Sequence, residues 1–228
     1  AEIRRRDAFS ELSPEADVIL ANPPFAGSVD EARRRAFGSR STRSEVLFVE
    51  LMMKRLKPGG RAGVVVPAGF LTSAASSSIQ VRRELLLRHG LRAVIELPAG
   101  VFRPYTDVRS ALLLWRSGDA AAEVLMARAR ADGFSLDDRR EPIGESDLDA
   151  LLAHLRGDNG GSALRPELGR RVGVEELGEG FALSPGRYLS GVAPKARPQR
   201  TMQAVLSATA ASAERLARLL DAIAERVR

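Results

Sequence analysis

The sequence predicts an α/β fold built on one open, mixed sheet, and three observations carry that expectation. Short apolar runs at Asp17–Ala21, Arg61–Val66 and Leu91–Leu97 each end at proline, at Pro23, Pro67 and Pro98. Proline cannot donate to a ladder, so each run ends as a strand there. Between them, Ser44–Leu56 and Ile79–His89 carry apolar residues at helical spacing. The fourth run, Ser110–Arg116, follows the third after a loop too short for a helical crossover. The first three strands are therefore expected to be parallel, and the fourth to enter antiparallel as a hairpin.

Composition narrows the class. The chain has 228 residues, enough for one substantial α/β domain and an extension, and 44% of it is apolar. No apolar run approaches membrane-spanning length, and no apolar segment follows the basic start Arg4–Arg6 as a signal peptide requires. Cysteine is absent, which excludes disulfides and thiolate metal sites and fits a reducing, cytoplasmic setting. The two histidines, His89 and His154, are far apart at helix ends, so no metal site is expected and exposed or capping roles are. The net charge of +6 suits a nucleic-acid partner, although an arginine-rich coding bias has the same effect.

The elements follow in order. Ile3–Arg6 resembles a strand end, and Asp7, Ala8 and Phe9 form a turn that leads to Pro14. After the Asp17 strand, Gly27–Thr42 is expected to be a mobile polar loop whose Arg33, Arg34, Arg35 and Arg40, with Arg43 beyond, contact phosphates. Ser44 is the candidate N-cap of the first helix, and Lys57–Gly60 its stop. Leu71–Ser78 is a small-residue loop before the second helix, which Gly90 ends. Phe102–Asp107 is a loop, Ala121–Arg130 a further strand at the sheet edge, and Asp147–Leu155 a short helix. Gly157–Ser162 is a linker, and Phe181–Tyr188 a turn. Pro194–Pro198 is a hinge before an amphipathic helix over Thr201–Val227, whose apolar stripe needs a partner. Domain boundaries are placed at 1–130, 131–193 and 194–228.

The most informative stretch is Asn22-Pro23-Pro24-Phe25, a stiff turn at the carboxyl end of a strand, where open α/β sheets place ligands. The Asn22 side-chain oxygen and the Pro23 carbonyl can both accept hydrogen bonds from one exocyclic amino group, and Phe25 offers a face for a planar base.

Asn-Pro-Pro-Phe after such a strand resembles the catalytic motif of N6-adenine DNA methyltransferases. Leu56–Gly60, Leu97–Tyr105 and Asp132–Arg139 are similar, in that order, to the modification subunit of type I restriction–modification systems. The resemblance covers about residues 1–145. It implies the Rossmann-like S-adenosylmethionine-dependent methyltransferase sheet, here its second half, with a helical tail. It also implies adenine-N6 methylation of double-stranded DNA. Asn22, Pro23, Pro24 and Phe25 would be catalytic, and Asp7, Ala8, Phe9 and Asn22 would contact the cofactor. Phe25 and either Phe102 or Tyr105 would stack on the flipped base. The tail helix would dock on a DNA-specificity subunit, and a restriction subunit could join.

The family's glycine-rich cofactor turn and its following acidic residue are not in the sequence. Residues 1–228 are therefore expected to begin near the third strand of the catalytic domain, with the missing N-terminal half supplied upstream or by another chain. Without it, the Asp17 strand would expose an apolar edge. Two readings compete: a non-catalytic or divided fragment with an assembly role, and a methyltransferase acting on RNA or on protein glutamine.

Overall fold

The computed structural model describes residues 3, 5, 7–9, 15–25, 27, 29–39, 41–118, 120–156 and 164–189. The expected linker at 157–162, hinge and tail helix lie outside the described residues. A six-stranded mixed sheet is formed by β1 (Ala16–Ala21), β2 (Leu56–Pro67), β3 (Leu91–Glu96), β4 (Ser110–Arg116), β5 (Glu123–Arg128) and β8 (Gly169–Gly173). Their spatial order is β1-β2-β4-β3-β5-β8. β1 runs parallel to β2, and β3 to β5. β4 returns antiparallel between β2 and β3, as the short preceding loop requires. A separate hairpin joins β6 (Asp132–Phe134) to β7 (Pro142–Ser146).

Alternation along the strands separates two cores. Val64, Val66, Leu113, Trp115 and Met126 face one side, where α2 (Ser44–Arg55) and α4 (Ser76–Leu87) cover them. Ala93, Ile95, Leu125 and Ala127 face the other, against Leu151 of α5 (Leu148–Arg156). At the outer strand β1, Val18 and Leu20 remain 52% and 81% exposed. The apolar exposure expected of the Asp17 strand is therefore present among the described residues.

Several local expectations are corrected. The Gly27–Thr42 stretch contains a helix, α1 (Glu31–Phe37), closed by Gly38 at φ +72°. Ser44 is the first residue of α2, and Arg43 precedes it without a side-chain cap bond. Lys57–Gly60 does end α2, but it belongs to β2, because Gly59 N–H donates to Ser117 O and Ser117 N–H to Gly60 O, both at 2.8 Å. The excursion shows as a register shift between Ala16 and Val18. The loop after β2 holds a short helix, α3 (Gly69–Thr72), and α4 starts at Ser76 rather than Ile79. Ile3 and Arg5 lie in no strand. β5 is not the edge, since β8 pairs beyond it. His89 is half-buried with its Nδ1 unpartnered, and burial pulls its pKa below the usual value, so it is neither exposed nor a cap.

One buried cation joins distant parts of the chain. Arg82 on α4 is 1% exposed and donates to four carbonyls: Phe70 O at 2.7 Å, and Ser73, Gly180 and Phe181 O at 2.9 Å. Arg82→Ala should cost about 3–5 kcal/mol, because it strands several buried acceptors at once; urea denaturation measures this. Glu50 gives a pH-dependent test. Burial raises its carboxyl pKa, outweighing the Ser39 hydrogen bond and Lys54, and Oε2 has no hydrogen-bond partner. A raised folded pKa contributes stability that is complete below the unfolded value and lost as pH rises through the folded one. Glu50→Gln should therefore raise the melting temperature by a few degrees near pH 7, with the gain shrinking as pH falls through the raised folded value and lost below about pH 4.

Candidate active site

The chain leaves β1 at Ala21 and turns at once, with Asn22 exposed, Pro23 buried, Pro24 exposed and Phe25 partly buried. The first residue of α2 holds this turn. Ser44 Oγ donates to Pro24 O at 3.4 Å, Ser44 N–H to Gly27 O at 3.2 Å, and Val29 N–H to Thr42 O at 3.3 Å. The excursion through α1 is thus pinned at its base. The Asn22 side chain and the Pro23 carbonyl make no hydrogen bond among the described residues. Pro24 O is engaged, and the two acceptors before it are open.

The Phe25 ring meets Phe102 edge-on, with centroids 5.5 Å apart and planes at 67°. Of the two aromatics that the sequence left open, Phe102 meets Phe25, whereas Tyr105 is 91% exposed and shares no ring contact among the described residues. A cavity of about 310 Å³ adjoins Phe25, with Gly27, Arg43, Glu45, Pro67 and Phe70 in its wall. Phe102 lies in the β3–β4 loop, and the β6–β7 hairpin supports that loop. Gly100 there has φ +88°, and a Cβ added to it would lie 2.8 Å from Leu136 O. Arg103 bonds to Asp107 at 2.6 Å and reaches Asp138 at 3.8 Å. At the hairpin tip Asp137 accepts from Ser135 Oγ at 2.7 Å and from the Arg139 and Arg140 amides, and these bonds lower its pKa, the Ser135 bond foremost. The Asp132–Arg139 stretch therefore buttresses an aromatic of the site.

The other expected residues divide. Asp7 accepts the Phe9 amide at 3.0 Å, and Phe9 packs on Phe37 and Phe48. This seats the 7–9 turn on α1 and α2. Arg34 and Arg35 pair with Glu31 of α1, and Arg34 also donates to Ser39 O. Arg43 pairs with Glu45 at 3.0 Å and donates to Ser73 Oγ at 3.4 Å. Arg33 is in α1, and Arg40 lies outside the described residues. Several of the expected phosphate contacts thus begin from intramolecular pairs on a helix. Such exposed pairs are worth little and exchange readily. Sequence reasoning missed Ser44 and Gly100 as supports. A signal was available for Gly100, since a glycine two residues after Pro98 suits a turn. Among the described residues no cluster of three metal-ligating side chains occurs, and no helix is long and apolar enough to cross a membrane.

Comparison with known proteins gives the family. The sequence model of the N-6 DNA Methylase family matches residues 2–196. The chain belongs to this family. Among curated relatives, the type I restriction enzyme EcoEI methylase subunit of Escherichia coli is 27% identical over 174 residues, covering 74% of this chain and 35% of the relative. A solved structure from work on the complex assembly and conformational transition of the type I R-M system superposes with a TM-score of 0.71 at 26% identity, spanning 100% of this chain and 49% of that one. A modification subunit of a putative type I restriction enzyme from Vibrio vulnificus YJ016 gives 0.59 at 27% identity, over 75% and 36%. The chain thus spans about a third to a half of the length of these relatives. The Rossmann-like methyltransferase sheet expected from the sequence, here its second half, is the fold observed.

Gly100→Ala should destabilise the protein by about 1–3 kcal/mol, since alanine meets both an unfavourable φ and the Leu136 carbonyl. Thermal unfolding reads the loss, and Tyr105→Ala, at an exposed ring, should leave stability within about 0.5 kcal/mol.

Proposed function

We propose that this chain carries the target-base half of an adenine-N6 DNA methyltransferase, as part of a type I modification subunit working in the cytoplasm. The observation that carries the reading is the pair of open acceptors, the Asn22 side chain and the Pro23 carbonyl, beside the Phe25 ring. Adenine N6 is a weak nucleophile because its lone pair is delocalised into the ring. Two acceptors on its hydrogens oppose that delocalisation and orient the lone pair. Ser44 keeps Pro24 O occupied and the turn fixed, so the geometry of the two acceptors is set before the base arrives. The Phe25–Phe102 contact must open for a base to stack, and aromatic faces then offset part of the unstacking cost of a few kcal/mol.

S-adenosylmethionine would supply the methyl group as a sulfonium, which makes a separate strong base unnecessary. Asp7, Ala8, Phe9 and Asn22 are the proposed cofactor contacts, and their side-chain types suit an adenosine: one carboxylate, one amide and one ring. The glycine-rich turn that completes such a site would come from a further segment. The exposed Val18 and Leu20 on outer strand β1 favour a segment that packs there. Double-stranded DNA, a DNA-specificity subunit and a restriction subunit are the proposed partners. Arg33, Arg34, Arg35, Arg40 and Arg43 are the proposed phosphate contacts. The non-catalytic alternative would make Asn22 dispensable.

The test is methyl transfer from labelled S-adenosylmethionine to duplex DNA by the complete subunit with its partners. Asn22→Ala should lower turnover by at least about 10³-fold while cofactor affinity stays within about threefold. Phe102→Ala should weaken turnover more than Tyr105→Ala. Unchanged methylation by the Asn22 variant would sink the mechanism, and label appearing in RNA or protein instead would move the substrate class.

A further inference from the structure

The end of the sheet opposite the Asn22 turn carries a larger cavity of about 540 Å³, where β4 ends and β3 and β5 begin. Arg92, Arg116 and Arg171 line it, with Gly59, Gly118 and Glu123. Arg116 is the direct antiparallel partner of Arg61, so two guanidinium side chains leave the same face at adjacent positions. Like charges directly opposite in a ladder are destabilising. Arg116 Nε donates to Gly59 O at 3.2 Å, and its terminal nitrogens have no partner among the described residues. The Arg61 and Arg92 side chains make no ion pair or hydrogen bond there either. Glu123, the carboxylate on the wall, is already bonded to Arg171 Nη1 at 3.1 Å. Asp119, in the adjoining loop, lies outside the described residues.

We propose that this cavity binds a phosphate group, carried by a nucleotide or by a nucleic-acid backbone. A planar guanidinium fork matches phosphate oxygens bidentately, and a dianion held by Arg92 and Arg116 of the cavity wall also offsets the repulsion between Arg116 and its ladder partner Arg61. The small residues Gly59, Gly118 and Ala120 leave the mouth open to a bulky headgroup. The cavity shares no residue with the Asn22 site, so the inference does not depend on the proposed methyl transfer.

The experiment titrates inorganic pyrophosphate into the full chain by calorimetry and follows its melting temperature. The wild type and Asn22→Ala should bind and gain stability. An Arg92→Ala/Arg116→Ala double variant should bind at least tenfold more weakly and gain none, with its unliganded melting temperature retained. Displacement of pyrophosphate by ADP alone identifies a nucleotide site, and displacement by a short duplex identifies a backbone site. Absence of binding by the wild type, equal binding by the double variant, or displacement by neither competitor overturns the proposal.

Discussion

The arrangement around the site depends on Arg82. Its guanidinium replaces water for two backbone segments about a hundred residues apart, the α3 region at Phe70 and Ser73 and the turn at Gly180 and Phe181. No carboxylate faces it among the described residues, and burial lowers its pKa from the ordinary arginine value. The charge is compensated by four carbonyl dipoles, a geometry that arginine's rigid donor fork can satisfy and lysine's single ammonium cannot. Both segments have functional neighbours. Gly69 and Phe70 line the cavity beside Phe25. Beyond Phe181, Leu183 N–H donates to Leu71 O, and Ser184 Oγ donates to Glu96, which also binds Arg128.

Much of the sheet was legible in the sequence because proline and β-branched runs punctuate it. The Ser110–Arg116 strand was placed to the residue, and its direction followed from loop length alone. What sequence could not disclose was mostly non-local. β8 is only Gly169–Gly173, two of its five residues glycine and two arginine, so neither propensity nor alternation marks it; pairing with β5 makes it a strand. The α1 helix was hidden by three consecutive arginines within a polar stretch, and Glu31 partly offsets them through i+3 and i+4 pairs.

At the site, the residue types were legible and their division of labour was not. Asn22, Pro23 and Phe25 stand where a strand-terminal turn must put them. That Phe102 rather than Tyr105 faces Phe25 depends on how the β3–β4 loop folds over the β6–β7 hairpin, with Gly100 against Leu136 O. Ser44, expected to cap its own helix, instead spends its hydroxyl on Pro24.

The antiparallel insertion of β4 also bears on how the sheet is assembled. β2 and β3 are not neighbours; each is bonded to β4, through seven residue partners on one side and five on the other. Until residue 116 has been synthesised, both strands hold an open inner edge. The half of the sheet that bears Asn22 and the half that bears β5 and β8 are joined by that one late strand. Assembly is thus gated by a non-local pairing, and a nascent chain stopped short of Arg116 exposes two sticky edges at once.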